Sequence, residues 1–195
     1  VVDKTGTLTE GSPAVTDIVL TGSLDRDGAL RCAAAVESSS EHPLGAAIVT
    51  AARDSVSDAT GIPTVTDFTS DAGGGVGGTV DGRAVRVGNL GYVSAGTAGT
   101  NAADLQTRAD ELRTGGATAV FLAVDGTVEA VIAIADPVKE TTPAALAALH
   151  DRGVRVVMLT GDNRTTAEAV AAQLGIDEVH ADVQPDDKSA VVDDL

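Results

Sequence analysis

The chain has 195 residues, a net charge of −16 from 29 acidic and 13 basic side chains, and an aromatic content of only 2%. A surface this acidic repels phosphate backbones, so we expect no nucleic-acid partner. No apolar run approaches the roughly 18 residues that a membrane helix needs. The single cysteine, Cys32, excludes both a disulfide and a Cys-x-x-Cys metal pair within this stretch.

The excess of acid has two interpretations. The acidic residues are mostly Asp and the basic ones mostly Arg, with three lysines in the whole chain. We favour adaptation to very high salt, where charge repulsion is screened beyond about 3 Å at 1 M. The alternative is an ordinary acidic cytosolic domain.

Both ends of the chain alternate between strands and helices, a pattern typical of a parallel sheet with helices on its faces. Asn163 is placed to cap one of these helices and Gly175 to end it. The predicted elements are a strand at Val1–Val2, strands at Ala119–Val124 and Thr127–Ala135 around the turn Asp125-Gly126, a helix at Thr141–Asp151, a strand at Val154–Leu159, a helix at Arg164–Leu174, a strand at Glu178–Ala181 and a helix from Pro185.

The middle of the chain has a different pattern, in which short strands follow one another through glycine turns such as Asp81-Gly82. We predict helices at Asp27–Ser38, Leu44–Asp54 and Asn101–Arg113, and strands at Thr64–Thr69, Val76–Asp81 and Arg83–Val87. This arrangement indicates an antiparallel α+β module inserted into an α/β domain. The boundaries that we expect are 15–122 for the insertion, and 1–14 with 123–195 for the interrupted domain.

Two apolar strands of the α/β domain end in similar polar groups. Val1-Val2 leads into Asp3-Lys-Thr-Gly, and a later strand ends at Thr160-Gly161. In a parallel sheet both strand ends would open onto the same crevice. Asp3 would then face a hydroxyl and a backbone N–H able to hold phosphate oxygens, while Lys188 would supply positive charge. A carboxylate that attacks a phosphoryl group forms an acyl phosphate.

The lysines support this interpretation of the outer domain. Lys4, Lys139 and Lys188 all fall outside the inserted module. An ammonium group is a compact charge suited to a phosphate oxygen. Because the chain contains so few lysines, these three are candidates for functional residues.

The segment Asp3-Lys-Thr-Gly-Thr-Leu-Thr9 resembles the phosphorylation-site signature of P-type ATPases, and Met158-Leu-Thr-Gly-Asp-Asn163, about 155 residues later, resembles their second phosphorylation motif. The resemblance covers essentially the whole chain. It implies a fold similar to haloacid dehalogenases, with a split parallel-sheet phosphorylation domain and an inserted nucleotide-binding domain. It also implies that ATP phosphorylates Asp3, that Lys4 and Gly161 belong to the site, and that Thr5, Thr160 and Lys188 contact the phosphoryl group.

Thr5 distinguishes two classes of enzyme that use an aspartate nucleophile. The related phosphatases carry a second Asp at this position as general acid and base, whereas this chain has a threonine. Hydrolysis of the aspartyl phosphate should therefore be slow, which suits a pump that couples phosphorylation to a conformational change. A stand-alone phosphatase remains the first alternative, and a non-catalytic nucleotide-binding regulator is the second.

The insertion narrows the resemblance to the heavy-metal-transporting subclass. Ser40-Glu-His-Pro-Leu44 resembles the His-Pro motif of that subclass, and a glycine-rich run and a Gly-Asn pair follow in the expected order. Alone, a His-Pro pair is more often a solvated helix start, and a glycine run a mobile loop. By resemblance, the nucleotide-binding residues are Glu41, His42, Gly73, Gly75, Gly88 and Asn89.

The implied ligands are ATP and Mg²⁺, with the Asp3 carboxylate and the Thr5 carbonyl as protein ligands of the metal. In the family a Gly-Asp-Gly-x-Asn-Asp element supplies another carboxylate, and this chain stops seven residues past Lys188 without reaching it. We therefore expect a fragment that binds nucleotide weakly and phosphorylates poorly or not at all. The whole protein would export a heavy metal, with copper(I) preferred to zinc-type ions, and this part would lie at the cytoplasmic face of the membrane.

Overall fold

The computed structural model describes residues 1–55, 61–95, 102–184, 189 and 191. The chain divides into two compact units. The outer unit consists of Val1–Pro13, Leu112–Thr118 and Ala135–Leu195, and the inserted unit consists of Ala14–Glu111 and Ala119–Ile134.

The elements alternate much as the sequence predicts. The strands are β1 (Val2–Asp3), β2 (Ala14–Leu20), β3 (Val65–Asp71), β4 (Gly75–Val80), β5 (Arg83–Gly88), β6 (Thr118–Val124), β7 (Thr127–Ala135), β8 (Val157–Leu159) and β9 (Glu178–His180). The helices are α1 (Arg26–Glu37), α2 (Pro43–Ser55), α3 (Leu90–Val93), α4 (Ala102–Thr114), α5 (Thr142–His150) and α6 (Arg164–Leu174).

The described part of the outer unit contains a parallel sheet in the order β1-β8-β9. Asp3 pairs with Leu159, and Leu159 pairs with His180, so the carboxyl ends of all three strands lie at one edge. Residues from α5, α6 and the sheet form the core of this unit, with Met158 fully buried at its centre. Asn163 caps α6 through Thr166 N–H, and Gly175 ends it at a positive φ, as the sequence predicts.

The described residues of the inserted unit form a six-stranded sheet in the order β2-β7-β6-β5-β4-β3. Two of its hairpins turn at Asp81-Gly82 and Asp125-Gly126, where all four residues have positive φ angles. Such a turn matches the right-handed twist of paired strands, which explains the predictive value of the Asp-Gly pairs. The helices α1 and α2 pack on one face, and their shared core with the sheet is built from Ala, Val, Leu and Ile.

The strands β6 and β7 belong to the inserted sheet, since β7 lies between β2 and β6. The expected boundary at residue 122 therefore differs from the division seen in the structure, which falls after Ile134. The hairpin was predicted but assigned to the α/β domain, because its apolar strands resemble those of a buried parallel sheet. The other partner of β7, the strand β2, was not predicted.

Other differences are smaller. The strand β8 begins at Val157 instead of Val154, which is exposed. The short helix α3 was not predicted. The helix expected from Pro185 and the residue Lys188 lie outside the described residues. Among the described residues, no helix is long and apolar enough to cross a membrane.

Candidate functional site

Asp3 is the last residue of β1 and opens a tight loop in the outer unit. Its Oδ1 accepts the N–H of Lys4 at 3.0 Å. The loop turns at Gly6, whose φ of +75° favours glycine, and closes where Thr9 N–H donates to the Lys4 carbonyl at 3.2 Å. The nucleophile predicted from the sequence thus lies at a strand end, in a hydrogen-bonded loop.

A buried ion pair joins this loop to the end of β8. Lys4 is only 6% exposed, and its Nζ lies 2.5 Å from Asp162 Oδ2. A buried ammonium needs such a partner, because desolvation alone would disfavour its charge. The pairing indicates that Lys4 holds the two motifs together. Asp162 was not among the predicted site residues, although it lies within the quoted motif.

Thr160 lies beside the Asp3 loop through the parallel register of β1 and β8. It is 2% exposed, and its N–H donates to the His180 carbonyl at 3.0 Å. Its hydroxyl accepts the N–H of Asp162 at 3.1 Å, which leaves its own proton available for donation. Gly161 and Thr5, by contrast, are exposed.

The segment after β7, where the chain returns to the outer unit, is hydrogen-bonded to the Asp3 loop. Asp136 accepts from the Thr9 hydroxyl at 2.6 Å and from Ser12 N–H at 3.0 Å. The Lys139 ammonium donates to the Gly6 carbonyl at 2.6 Å. Both described lysines therefore contact the loop or the motif beside it. Asp136 and Thr9 were missed as site residues, and for Thr9 the phosphorylation-site segment that contains it was the available signal.

The glycines of the inserted unit have two different roles. A Cβ on Gly75 would lie 2.2 Å from the Val87 carbonyl, and a Cβ on Gly88 would lie 2.3 Å from the Gly74 carbonyl. Those two glycines are required because β4 and β5 approach closely. Gly73 has nothing within 4 Å of an added Cβ but has a φ of +77°. Gly73 is thus the predicted glycine that faces open space.

Asn89 connects the glycine turn to α3. Its Nδ2 donates to the Gly73 carbonyl at 2.8 Å, and its Oδ1 accepts the N–H of Tyr92 at 2.9 Å. The Tyr92 ring in turn lies against the Arg86 guanidinium, 5.6 Å from the ring centroid. The side-chain amide therefore holds Gly73 in place in this structure.

The remaining predicted residues, Glu41 and His42, are exposed in the loop before α2. The backbone N–H of His42 donates to Ser40 Oγ at 3.2 Å. Beneath this loop, Glu37 is 9% exposed, and burial raises its pKa while a hydrogen bond from Ser40 opposes that rise. The Glu37 carboxylate occupies the space that a side chain would need if Gly45 were replaced by another residue. Glu37 was missed, since a Glu at the end of a helix gives no sign of burial.

The inserted unit thus contains two clusters. The first joins Gly73, Gly88 and Asn89, and the second joins Glu37 and the loop of Glu41 and His42. In the described part of the chain, no hydrogen bond links the two clusters. The Asp3 loop carries the predicted oxygen donors for Mg²⁺, a carboxylate and the Thr5 carbonyl, which suit this hard cation. Two protein oxygens fall short of six ligands, so phosphate and water would supply the others.

Comparisons with known proteins establish the family of the chain. A family model of haloacid dehalogenase-like hydrolases matches residues 1–195. The chain belongs to this family. It is 50% identical over 192 residues to a silver exporting P-type ATPase of Salmonella typhimurium, covering 98% of this chain and 23% of that protein. It is 46% identical over 197 residues to a copper-transporting P-type ATPase of Rhizobium leguminosarum, covering 100% of this chain and 23% of that one.

A solved structure extends the comparison to the fold. The zinc-transporting PIB-type ATPase in its E2·Pi state is 35% identical, with a TM-score of 0.71, and covers 99% of this chain and 30% of that chain. The predicted resemblance to heavy-metal P-type ATPases and the predicted fold class are confirmed. The chain spans about a quarter of the length of the curated relatives it matches.

Proposed function

We propose that this chain is the ATP-binding and phosphorylation part of a P-type ATPase that moves a heavy-metal cation. The observation that carries the proposal is the parallel pairing of Asp3 with Leu159, which places the Asp3 loop beside Thr160 and allows Lys4 to pair with Asp162. Identity of 50% to a silver exporting P-type ATPase supports it. The whole protein would act at the membrane, with this part on the cytoplasmic side.

In the proposed reaction, a carboxylate oxygen of Asp3 attacks the γ-phosphorus of ATP, the bond to the bridging oxygen breaks, and ADP leaves. The product is an acyl phosphate on Asp3. The Thr160 hydroxyl and the Gly161 N–H would donate to phosphoryl oxygens, and Lys188 would neutralise their charge. Asp3 and the Thr5 carbonyl would hold Mg²⁺, whose charge would offset that of the phosphates.

The absence of a second carboxylate at position 5 favours a pump over a phosphatase. Thr5 cannot act as the general acid and base that speeds water attack on the acyl phosphate. We expect slow turnover of p-nitrophenyl phosphate by this chain. Fast turnover that disappears in Asp3→Asn would favour a stand-alone phosphatase instead.

For the nucleotide we propose the inserted unit, with Glu41 and His42 at the adenine, and Gly73, Gly75, Gly88 and Asn89 along the glycine turn. The open space at Gly73 supports a close approach of nucleotide to backbone. Gly75, Gly88 and Asn89 would act by shaping that turn, given their contacts within the unit.

The transported cation is proposed by similarity alone. The curated relatives described above are named for silver and copper, and the solved relative is named for zinc. Copper(I) and silver(I) are both soft monovalent ions that suit thiolate ligands. We therefore propose copper(I) ahead of zinc-type ions. Metal-stimulated ATPase activity of the whole protein, compared between the two ions, tests this choice.

Calorimetry of ATP binding to the 195-residue chain in molar KCl, beside His42→Ala, tests the nucleotide assignment. We expect weak binding to the wild-type chain that weakens further by roughly three- to tenfold in the variant. Binding that is unchanged in His42→Ala would remove the adenine assignment and with it the reason to choose the heavy-metal subclass from this motif. Asp54→Asn, an exposed carboxylate on α2, is the control.

A further inference from the structure

The turn between α4 and β6, residues Leu112–Thr118, belongs to the outer unit, although the rest of α4 and of β6 belongs to the inserted unit. The Leu112 carbonyl accepts from Gly115 N–H at 3.1 Å and from Ala117 N–H at 3.4 Å. Gly116 has a φ of +86°, which a glycine adopts without strain. The α4–β6 turn is therefore a compact, hydrogen-bonded segment of the outer unit.

Two contacts attach the α4–β6 turn to α6. The Thr166 hydroxyl, on a residue only 1% exposed, donates to the Ala117 carbonyl at 2.9 Å. A Cβ on Gly116 would lie 3.4 Å from Val170 Cγ2, one helical turn further along α6. A hydroxyl has a single proton, and a carbonyl can only accept. The proton of Thr166 is therefore used by the main chain of the turn.

The same hydroxyl orients the cap of α6. It accepts from Asn163 Nδ2 at 2.9 Å, while Thr166 N–H donates to Asn163 Oδ1 at 3.1 Å. An ordinary N-cap uses its side-chain oxygen alone. Here both ends of the Asn163 amide are bonded to Thr166, which is itself bonded to Ala117. The cap is thus anchored to the α4–β6 turn through one side chain.

Asn163 ends the loop that follows β8 and carries the second phosphorylation motif. Within this loop, Asp162 N–H donates to Thr160 Oγ1 at 3.1 Å, and the Asp162 carboxylate pairs with Lys4. The loop is held at its start by the pairing of β8 with β1, and at its end by Asn163. A change at Asn163 therefore acts on its neighbour Asp162, and through Lys4 on the Asp3 loop.

We propose that Thr166 is a positioning residue for phosphoryl transfer. This inference rests on the proposed function, in which an oxygen of Asp3 forms a bond to the γ-phosphorus of ATP and ADP leaves. Thr166 contacts none of the reacting atoms. Its hydroxyl anchors the start of α6 to the α4–β6 turn, and this anchor keeps Thr160 and Asp162 in the geometry that the transfer requires.

Two substitutions separate the hydroxyl from the rest of the side chain. Thr166→Val keeps the shape but loses the hydroxyl, whereas Thr166→Ser keeps the hydroxyl but loses a buried methyl group. Thr165→Val makes the same change at the exposed neighbouring position and is the matched control.

The expected effect is on the rate of transfer. At saturating ATP we expect Thr166→Val to form the phosphoenzyme roughly ten- to a hundredfold more slowly, because small misplacements of groups around a reacting centre are costly. The ATP concentration for half-maximal rate should change by less than about twofold, since the nucleotide is held elsewhere. Thr166→Ser should retain the wild-type rate within about threefold, and Thr165→Val should equal the wild type.

Rapid mixing of membranes that carry the whole protein with Mg²⁺ and ATP labelled at the γ-phosphate, followed by an acid quench, measures this rate. A merely structural role would leave fewer folded molecules, which lowers the final amount of label but not the rate constant of its formation. A wild-type rate constant in Thr166→Val overturns the proposal. Equal slowing in Thr166→Ser or in Thr165→Val also overturns it, because the hydroxyl would then not be the cause.

Hydrogen exchange of the whole protein tests the anchor without any chemistry. Peptides that cover residues 112–118 and 160–166 should exchange faster in Thr166→Val than in the wild type or in Thr165→Val. Unchanged exchange in both peptides overturns the anchor. Failure of the proposed function is a different result: the wild type itself would then form no acyl phosphate, and the positioning role would be overturned whatever the exchange data show.

Discussion

The buried ammonium of Lys4 shows how a single residue can join two motifs. It lies 2.5 Å from Asp162, and the two side chains are 8% and 22% exposed. A partner left alone in such a place retains its desolvation penalty without its compensating charge. The ion pair therefore contributes little net stability. Its main effect is to fix the position of one loop relative to the other within the outer unit.

A double-mutant cycle tests this constraint. Removing one partner, as in Asp162→Leu, should lower the free energy of unfolding by roughly 3 kcal/mol, since Lys4 is left buried and unpaired. The double variant Lys4→Met with Asp162→Leu should be more stable than the sum of the single effects predicts. Urea unfolding in KCl measures all four proteins. Strictly additive losses would show that the ion pair is not coupled.

Glu37 offers a pH test at the residue scale. Burial raises the pKa of its carboxyl, so the folded state keeps the proton to higher pH than the unfolded chain does. The contribution of the protonated carboxyl to stability is present below about pH 4.5, the ordinary pKa of the group, and is lost as the pH rises through the pKa of the folded state. Glu37→Gln removes this loss, so its stability relative to the wild type should be higher at pH 8 than at pH 5.

Urea unfolding at the two pH values measures the difference. Glu41→Gln, an exposed carboxylate in the following loop, is the matched control and should change the stability little at either pH. A Glu37→Gln variant with the same relative stability at pH 5 and pH 8 would contradict the assignment of the shift to burial.

At the scale of elements, Asn89 connects the turn between β3 and β4 to the start of α3. Asn89→Asp keeps the oxygen that accepts from Tyr92 N–H but loses the donor to the Gly73 carbonyl. We expect it to retain most of the wild-type melting temperature, because helix capping survives. Asn89→Ala loses both contacts and should melt lower by a few degrees.

The nucleotide readout then distinguishes positioning from capping. If Asn89 acts through Gly73, Asn89→Asp should weaken ATP binding about as much as Asn89→Ala does, although only the second variant loses its cap. Calorimetry beside thermal unfolding gives both quantities. Full ATP affinity in Asn89→Asp would contradict a positioning role.

Local signals predicted the elements well and their partners poorly. The Asp-Gly turns, the Asn163 cap and the Gly175 helix end depend on a few neighbouring residues, and the structure confirms all of them. The placement of β7 depends on pairing with β2, more than 100 residues earlier, and no local pattern reports that. Buried Glu129 of β7 accepts from Ser23 N–H and Leu24 N–H, a long-range contact of the same kind.

The same limit applies to the candidate site. Asp3 and Thr160 were recognisable because strand ends and short motifs are local features, and the structure brings their loops together. Asp162, Asp136 and Glu37 acquire their roles only through burial and pairing in three dimensions. Their residue types alone are typical of solvent-exposed positions.

At the scale of the whole molecule, the net charge of −16 is the dominant feature. Repulsion among so many carboxylates opposes the compact state, and salt screens it. We therefore predict that the melting temperature rises steadily with KCl up to molar concentrations. Thermal unfolding in KCl and in NaCl of equal ionic strength separates screening from an effect of the ion. A melting temperature that is constant with salt would contradict the proposal of adaptation to high salt.

The most direct test of the central claim is phosphorylation of Asp3 in the whole protein. Membranes carrying the wild type, Asp3→Asn or the control Asp54→Asn would be mixed briefly with ATP labelled at the γ-phosphate and Mg²⁺, then quenched in acid. The account predicts label on the wild type and the control, released by hydroxylamine as expected for an acyl phosphate, and none on Asp3→Asn. Label that persists in Asp3→Asn, that resists hydroxylamine, or that never forms would contradict it.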